Sequence, residues 1–295
     1  MRIGAIVPND GSLPRQIGLG RMAATAERAG AASLWVSDHL LMVDAPTSRY
    51  PYSPDGRQTW SNEIDYLEAL ACCAYMAATT RDCRIGTAVL VLPQRNVLEL
   101  AKVAASIDQL SGGRLVLGVG AGWNAAEMQA LGYGFTDRGG RFDEMLDVLS
   151  DCWTGRPSAF SGRFVDVPPD IVLHPRPVSP SGPPLLVGGM SDPALRRAAR
   201  RGAGWIALAS AESFDGEVLR ERLLTLERLR RDYGRAGPFE MVLKLHASPK
   251  LADSLPALAV QAQRLGFDEL VVEPPWELGS DAAGEAIAAV LAATS

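Results

Sequence analysis

Strand-like and helix-like stretches alternate without a break from one end of this chain to the other, and that alternation limits the fold more than any other feature. The strand-like stretches are 2–7, 33–36, 84–90, 114–119, 184–187, 205–208, 240–245 and 269–272. Several are continuous apolar runs, such as Leu115-Val116-Leu117 and Leu270-Val271-Val272, as expected for parallel strands covered on both faces. Helical patterns fill the gaps at 16–29, 63–79, 97–110, 141–153, 193–201, 217–233, 254–265 and 281–293. The first ends at Gly30, a residue suited to stopping a helix. Ser191-Asp192-Pro193 supplies a capping residue and a first-turn proline for the fifth. Eight such units can close into a barrel or wind into an open sheet. No dinucleotide fingerprint follows the first strand. The expected fold is therefore α/β, a (β/α)8 TIM barrel, as a single domain over residues 1–295.

Two connections are longer than a compact barrel needs, 40–62 after the second strand and 154–183 before the fifth. The first contains Pro46, Pro51 and Pro54 with Tyr50, Tyr52 and Trp60. Because it follows a strand, it belongs to the C-terminal rim, where barrel enzymes keep their chemistry. Its aromatics either line a pocket or pack on themselves as a lid.

The net charge of −5 leaves no dominant basic patch, which excludes nucleic acid as the expected partner. No apolar run approaches the length of a membrane span, and the opening strand is too short for a signal peptide, so a cytoplasmic location is expected. Cys72, Cys73, Cys83 and Cys152, with only three histidines, match no zinc spacing, so no metal is expected.

Three short segments carry candidate chemistry. Ser37-Asp38-His39 ends the second strand; His39 can move a proton near neutral pH, and a carboxylate can orient it. Adjacent strand residues point to opposite faces, so Asp38 need not touch His39. Gly118-Val119-Gly120-Ala121-Gly122-Trp123 ends the fourth strand, where glycines let a flat ligand approach and Trp123 offers a ring face. Gly188-Gly189-Met190-Ser191 leads into a helix whose free amides suit an anion, with Arg196 and Arg197 one turn on. Each has a plainer reading as a tight turn, a capped helix or a packed core. Asp192 favours the plainer one at the third site, since its carboxylate can occupy the helix N-terminus. His174 and His246 read as structural or surface residues. Nucleophile-elbow and phosphate-loop motifs are absent.

Taken together, Leu34-Trp35-Val36-Ser37-Asp38-His39, Arg84-Ile85-Gly86-Thr87-Ala88-Val89, the run from Leu110 to Trp123, Leu186-Val187-Gly188-Gly189 and Gly202-Ala203-Gly204-Trp205 resemble the luciferase-like flavin oxidoreductases. Within them the chain looks most like the branch using the deazaflavin coenzyme F420. The resemblance covers roughly residues 1–210 and implies a barrel. It implies a non-proline cis peptide at Ala88-Val89 beneath the ring, and Gly120, Ala121, Gly122 and Trp123 beside ring or ribityl chain. It places the cofactor phosphate at Gly188, Gly189, Met190 and Ser191, with Asp38 and His39 facing ring or substrate and His39 as acid or base. The implied activity is hydride transfer between F420 and a small organic substrate. An FMN-dependent monooxygenase and a non-catalytic flavin-binding barrel are the alternatives, and a phosphate-binding barrel lyase or isomerase is a third. Family members often form homodimers, for which the Ala-rich stretch 69–78 is a candidate face. Sugar-phosphate and secondary-alcohol dehydrogenases of the family carry a proton-transferring glutamate where this chain has Trp123, which argues against those two substrate classes.

Overall fold

A computed structural model describes residues 1–44, 48–51, 53, 55–58 and 60–295; Pro46, Tyr52 and Pro54 of the long rim loop lie outside them. Eight strands form a closed, all-parallel barrel. They are β1 (Arg2–Ile6), β2 (Ser33–Val36), β3 (Arg84–Val91), β4 (Leu115–Gly120), β5 (Leu185–Gly188), β6 (Gly204–Ser210), β7 (Glu240–His246) and β8 (Glu269–Val272). Each pairs with its neighbours in sequence, and β8 returns to pair with β1. The expected barrel is therefore the observed one, with strand ends displaced by no more than two residues.

Alternation along each strand separates two apolar regions. Inside the barrel, Trp35, Val116, Leu186, Val242 and Val271 pack with Ile6, Ala88 and Ile206. The outward residues of the same strands, such as Ile3, Leu34, Ile85 and Leu117, meet the helices. The N-terminal end of the barrel is closed by ion pairs between side chains. Arg84 clasps Glu240 with two bonds of 2.6 and 2.9 Å, and Arg2 Nε donates to Glu269 at 3.0 Å. Trp35 Nε1 donates to Ser33 Oγ at 2.6 Å, and Ser33 in turn donates to the fully buried Glu269. Every buried carboxylate oxygen there thus has a donor, which such a charge requires.

The helices are α1 (Leu19–Arg28), α2 (Ala69–Thr79), α3 (Val97–Ser111), α4 (Ala125–Ala130), α5 (Arg138–Cys152), α6 (Asp192–Arg201), α7 (Gly216–Asp232), α8 (Leu255–Leu265) and α9 (Ser280–Thr294). Two departures from the sequence reading matter at the rim. The pattern over 63–79 predicts one helix, but α2 begins only at Ala69. The preceding residues run extended instead: Leu67 N–H donates to Asn9 O, Gly11 N–H donates to Asp65 O, and Asp10 bridges Tyr66. Glu68 then caps α2 by accepting from Ala71 N–H. The short α4 was not expected at all. Its N-cap is Asn124, whose side-chain oxygen accepts from the Ala126 and Glu127 amides. The second long connection folds into a hairpin, Phe160–Ser161 with Asp166–Val167, whose turn amides converge on Glu144. Among the described residues, no helix is long and apolar enough to cross a membrane.

Candidate active site

The C-terminal ends of the strands open into a cleft of about 1590 Å³, which has room for a tricyclic cofactor together with a small second ligand. Asp38, His39, Ala88, Val89, Gly120, Ala121, Gly122, Trp123, Gly188, Gly189, Met190 and Ser191 all line it. Residues far apart in sequence thus share one space, as the rim of a barrel dictates.

Its floor is Val89. The peptide bond between Ala88 and Val89 is cis, and the β3–β4 register shifts between Thr87 and Leu90. Val89 lies against Gly120 on one side and Gly188 on the other. A Cβ at Gly120 would stand 2.6 Å from Val89 Cγ2, and one at Gly188 would stand 2.5 Å from Val89 Cγ1. Real side chains never come so close, so both glycines are required by the raised valine.

Asp38 and His39 diverge. Asp38 is buried and turns to the barrel wall, where it accepts from Val91 N–H at 2.8 Å and from Arg95 at 2.7 Å. Burial pushes its carboxyl up, opposed by the Arg95 charge and the Val91 amide. Arg95 also reaches Glu68 at 2.9 Å, tying the end of β3 to the cap of α2. Asp38 therefore fixes the strand end and does not touch the histidine.

The carboxylate that holds His39 is Glu127, from α4. His39 Nδ1 is 2.8 Å from Glu127 Oε2, while Glu127 Oε1 accepts from Leu40 N–H at 2.8 Å and from Gln94 at 3.2 Å. The Glu127 side chain is only 2% exposed. An ionised carboxylate can only accept, so His39 Nδ1 carries a proton, and in the neutral ring it is Nε2 that bears the lone pair. Rings of Tyr66, Trp123 and Trp60 surround the imidazole at centroid distances of 5.5, 5.9 and 6.0 Å. Tyr50 completes the cage against Trp60 and Trp123 at 5.1 Å each. The rim loop after β2 thus lines the pocket, and Ser48 fastens it by accepting from Ala125 N–H.

Across the cleft, Gly188 to Ser191 lead into α6. Ser191 occupies the N-cap position with no side-chain capping bond, so its hydroxyl is not spent on the helix. Asp192 pairs with Arg222 at 2.7 Å, so its carboxylate is engaged away from the start of its own helix. Arg138 and Arg197 stand on the same wall. Arg197 is held by Asp143, but among the described residues Arg138 has only carbonyl acceptors, Gly122 O and Phe135 O. Burial and the neighbouring Arg197 charge lower the Arg138 pKa, so an anion between them would be favoured. These amides, the hydroxyl and two guanidinium groups fit a phosphate.

Sequence reading missed Glu127, Tyr66, Asp10 and Lys244, all of which line or support the cleft. One signal was legible for the first. Asn124-Ala125-Ala126-Glu127 has the spacing of a helix start with a carboxylate at the third position. Asp10 and Tyr66 arise from loop paths that no period reveals, and Lys244 lies on β7, where closure of the barrel brings it to the cleft.

A family model described as luciferase-like monooxygenase matches residues 10–254. An uncharacterized protein of Mycobacterium tuberculosis (strain H37Rv) is 34% identical over 220 residues, covering 75% of this chain and 74% of the relative. An F420-dependent glucose-6-phosphate dehydrogenase of Amycolatopsis mediterranei is 30% identical over 189 residues, covering 62% of this chain and 51% of the relative. Among solved structures, an F420-dependent secondary alcohol dehydrogenase bound to an F420–acetone adduct superposes with a TM-score of 0.78 at 17% identity, over 98% of both chains. The FMN-bound oxygenating constituent of 3,6-diketocamphane monooxygenase from Pseudomonas putida gives 0.75 at 15% identity, over 98% of this chain and 96% of that one. These two superpositions establish a shared fold.

Proposed function

The chain belongs to the luciferase-like monooxygenase family, and we propose that within it this protein is a coenzyme F420-dependent oxidoreductase that exchanges a hydride with a small organic substrate. The observation that carries the reading is the His39–Glu127 pair, aimed into a cleft floored by Val89. Such a pair is what a proton-coupled hydride transfer needs: a base of fixed tautomer beside the place where a substrate oxygen gains or loses its proton.

The residues present fit the cofactor. Gly120 and Gly188 clear a surface over Val89 that side chains would fill, and the α6 N-terminus with Ser191, Arg138 and Arg197 suits its phosphate. Bound there, a deazaflavin supplies a carbon that accepts or donates hydride. His39 Nε2 holds or removes the proton at the substrate oxygen, and Glu127 stabilises the imidazolium that forms. Tyr50, Trp60, Tyr66 and Trp123 exclude water from that proton and stack on the apolar part of the substrate. Asp38, through Arg95 and the Val91 amide, keeps the strand end and His39 in place.

The polarity of the mouth favours F420 over FMN oxygen chemistry. Asp10, Lys244 and Glu273 line the cleft with His39. An oxygen adduct must be kept from water and stray protons, whereas deazaflavin hydride transfer needs only geometry and a proton path. The F420-dependent relative among the sequence matches points the same way. Anaerobic mixing of the protein with oxidised F420 and a panel of alcohols, and with reduced F420 and a panel of carbonyl and enone compounds, tests the reading. Substrate-dependent bleaching or return of the deazaflavin absorbance supports it. Turnover only with reduced FMN and oxygen would replace it with the monooxygenase reading.

A further inference from the structure

Hydride transfer separates charge, and Glu127 answers only half of it. The proton that reaches His39 makes an imidazolium, which Glu127 faces at 2.8 Å. The hydride carries two electrons with its proton, so the ring that receives it gains one negative charge. The floor of the cleft holds a matching positive group. Alternate residues of β7 turn inward: Val242 packs in the inner core, while Leu243 and Leu245 meet the helices. Lys244 is the next inward residue above Val242, half-buried, with Leu208 of β6 and Val271 of β8 beside it in the sheet. Its side chain crosses the barrel from β7 to β3, where Nζ donates to Ala88 O at 3.2 Å. That carbonyl belongs to the same cis peptide unit as the Val89 nitrogen, so the ammonium is anchored to the floor of the cleft. An ammonium has three N–H bonds, and Ala88 O is the only acceptor of Lys244 among the described residues. None of their carboxylates forms an ion pair with it; Glu273, after β8, lies 2.6 Å from Nδ1 of His246 instead. A half-buried charge without a counter-charge is costly, and a ligand that brings negative charge to the floor offsets that cost.

We infer that Lys244 offsets the negative charge that hydride transfer places on the cofactor ring and thereby favours its reduced form; the inference rests on the F420 reading above. In oxidation of an alcohol, the C–H electron pair and its hydrogen leave together for the oxidised deazaflavin. The O–H pair becomes the second carbon–oxygen bond, and the proton goes to His39 Nε2. The substrate stays neutral, His39 gains one positive charge and the ring gains one negative charge. Glu127 answers the first and Lys244 the second. Reduction of a carbonyl runs the same steps in reverse, with Lys244 holding the reduced form that starts them. The bond to Ala88 O fixes where the ammonium stands, and its charge does the rest. A nearby opposite charge typically favours a charged form by about tenfold or more.

The test needs no substrate. Anaerobic calorimetric titration with oxidised F420 and with reduced F420 gives both dissociation constants without turnover. In Lys244→Met, the reduced form should lose about tenfold or more in affinity relative to the oxidised form. Each factor of ten in that ratio lowers the potential of the bound two-electron couple by about 30 mV, which a spectroelectrochemical titration reads independently. Lys244→Arg keeps the charge and should keep most of the wild-type ratio. Lys244→Gln keeps a donor for Ala88 O but not the charge, and should follow Lys244→Met; urea unfolding checks that each variant is folded. Equal loss of affinity for both redox forms, or a wild-type ratio in Lys244→Gln, overturns the role of the Lys244 charge and leaves the cofactor reading standing. Absence of F420 binding by the wild-type protein removes the F420 reading and the inference together.

Discussion

Replacing Glu127 with Gln separates what the carboxylate does for chemistry from what it does for stability. The amide oxygen can still accept from Leu40 N–H and Gln94, bonds of 2.8 and 3.2 Å in the native protein. The amide NH₂ then faces His39 Nδ1, 2.8 Å away. That nitrogen must accept, so the imidazole proton moves to Nε2 and the lone pair turned to the cleft is lost. A hydrogen bond to a charged group contributes roughly 1.5–3 kcal/mol. At about 1.4 kcal/mol per factor of ten, kcat should fall about 10- to 150-fold, and further if the base is lost outright. The midpoint of urea unfolding should move by less than about 1 kcal/mol, since no buried donor is stranded. Glu127→Ala leaves the Leu40 amide and the Gln94 amide group unpaired and should cost about 2–6 kcal/mol. Circular dichroism through a urea titration and stopped-flow bleaching of F420 read the two quantities. Wild-type kcat with a wild-type pH profile in Glu127→Gln would refute the assignment of His39 as a base held in one tautomer.

Gly120→Ala should destabilise the fold by about 1–3 kcal/mol and weaken cofactor binding, and Val89→Ala should relieve part of that cost in the double variant; strict additivity in urea unfolding would contradict the packing described. Glu27 accepts from the Arg81, Asp82 and Cys83 amides, and its carboxyl is lowered from 4.5 to about 2. Because the folded value lies below the unfolded one, its stabilisation is present above about pH 4.5 and is lost as pH falls toward 2, so Glu27→Gln should flatten the acid limb of the stability profile over that window. Burial pushes Cys72 up to about 12 and Cys152 to about 11, with Cys73 higher still, so native protein should show no fast-reacting thiol toward a disulfide reagent until it is unfolded.

The barrel was legible because its strands are continuous apolar runs. Leu115-Val116-Leu117 and Leu270-Val271-Val272 need cover on both faces, and only a parallel sheet between helices supplies it. The glycines at 120 and 188 were legible as close approaches, though what approaches them within the chain, Val89, could not be read from their own positions. The partner of His39 was not legible from its neighbour. Asp38 is adjacent in sequence, but strand alternation turns it to the wall, and a helix nearly ninety positions on brings Glu127 to the ring. The start of α2 was misread for a related reason. Residues 64–67 have a helical apolar pattern, yet Asn9 and Asp10, on the segment after β1, offer them a strand-like partner, and those tertiary hydrogen bonds override the local preference. Asp10, Lys244 and Glu273 line one cleft because β1, β7 and β8 are neighbours in the closed barrel, an arrangement that no linear motif records.

Titration of the purified protein with oxidised F420 and, separately, with FMN, followed by ligand fluorescence, addresses the central claim most directly. The account predicts saturable binding of F420, weakened by Arg138→Met and by Gly188→Val, with FMN bound less tightly. Tight binding of FMN with none of F420, or binding of neither, would contradict it.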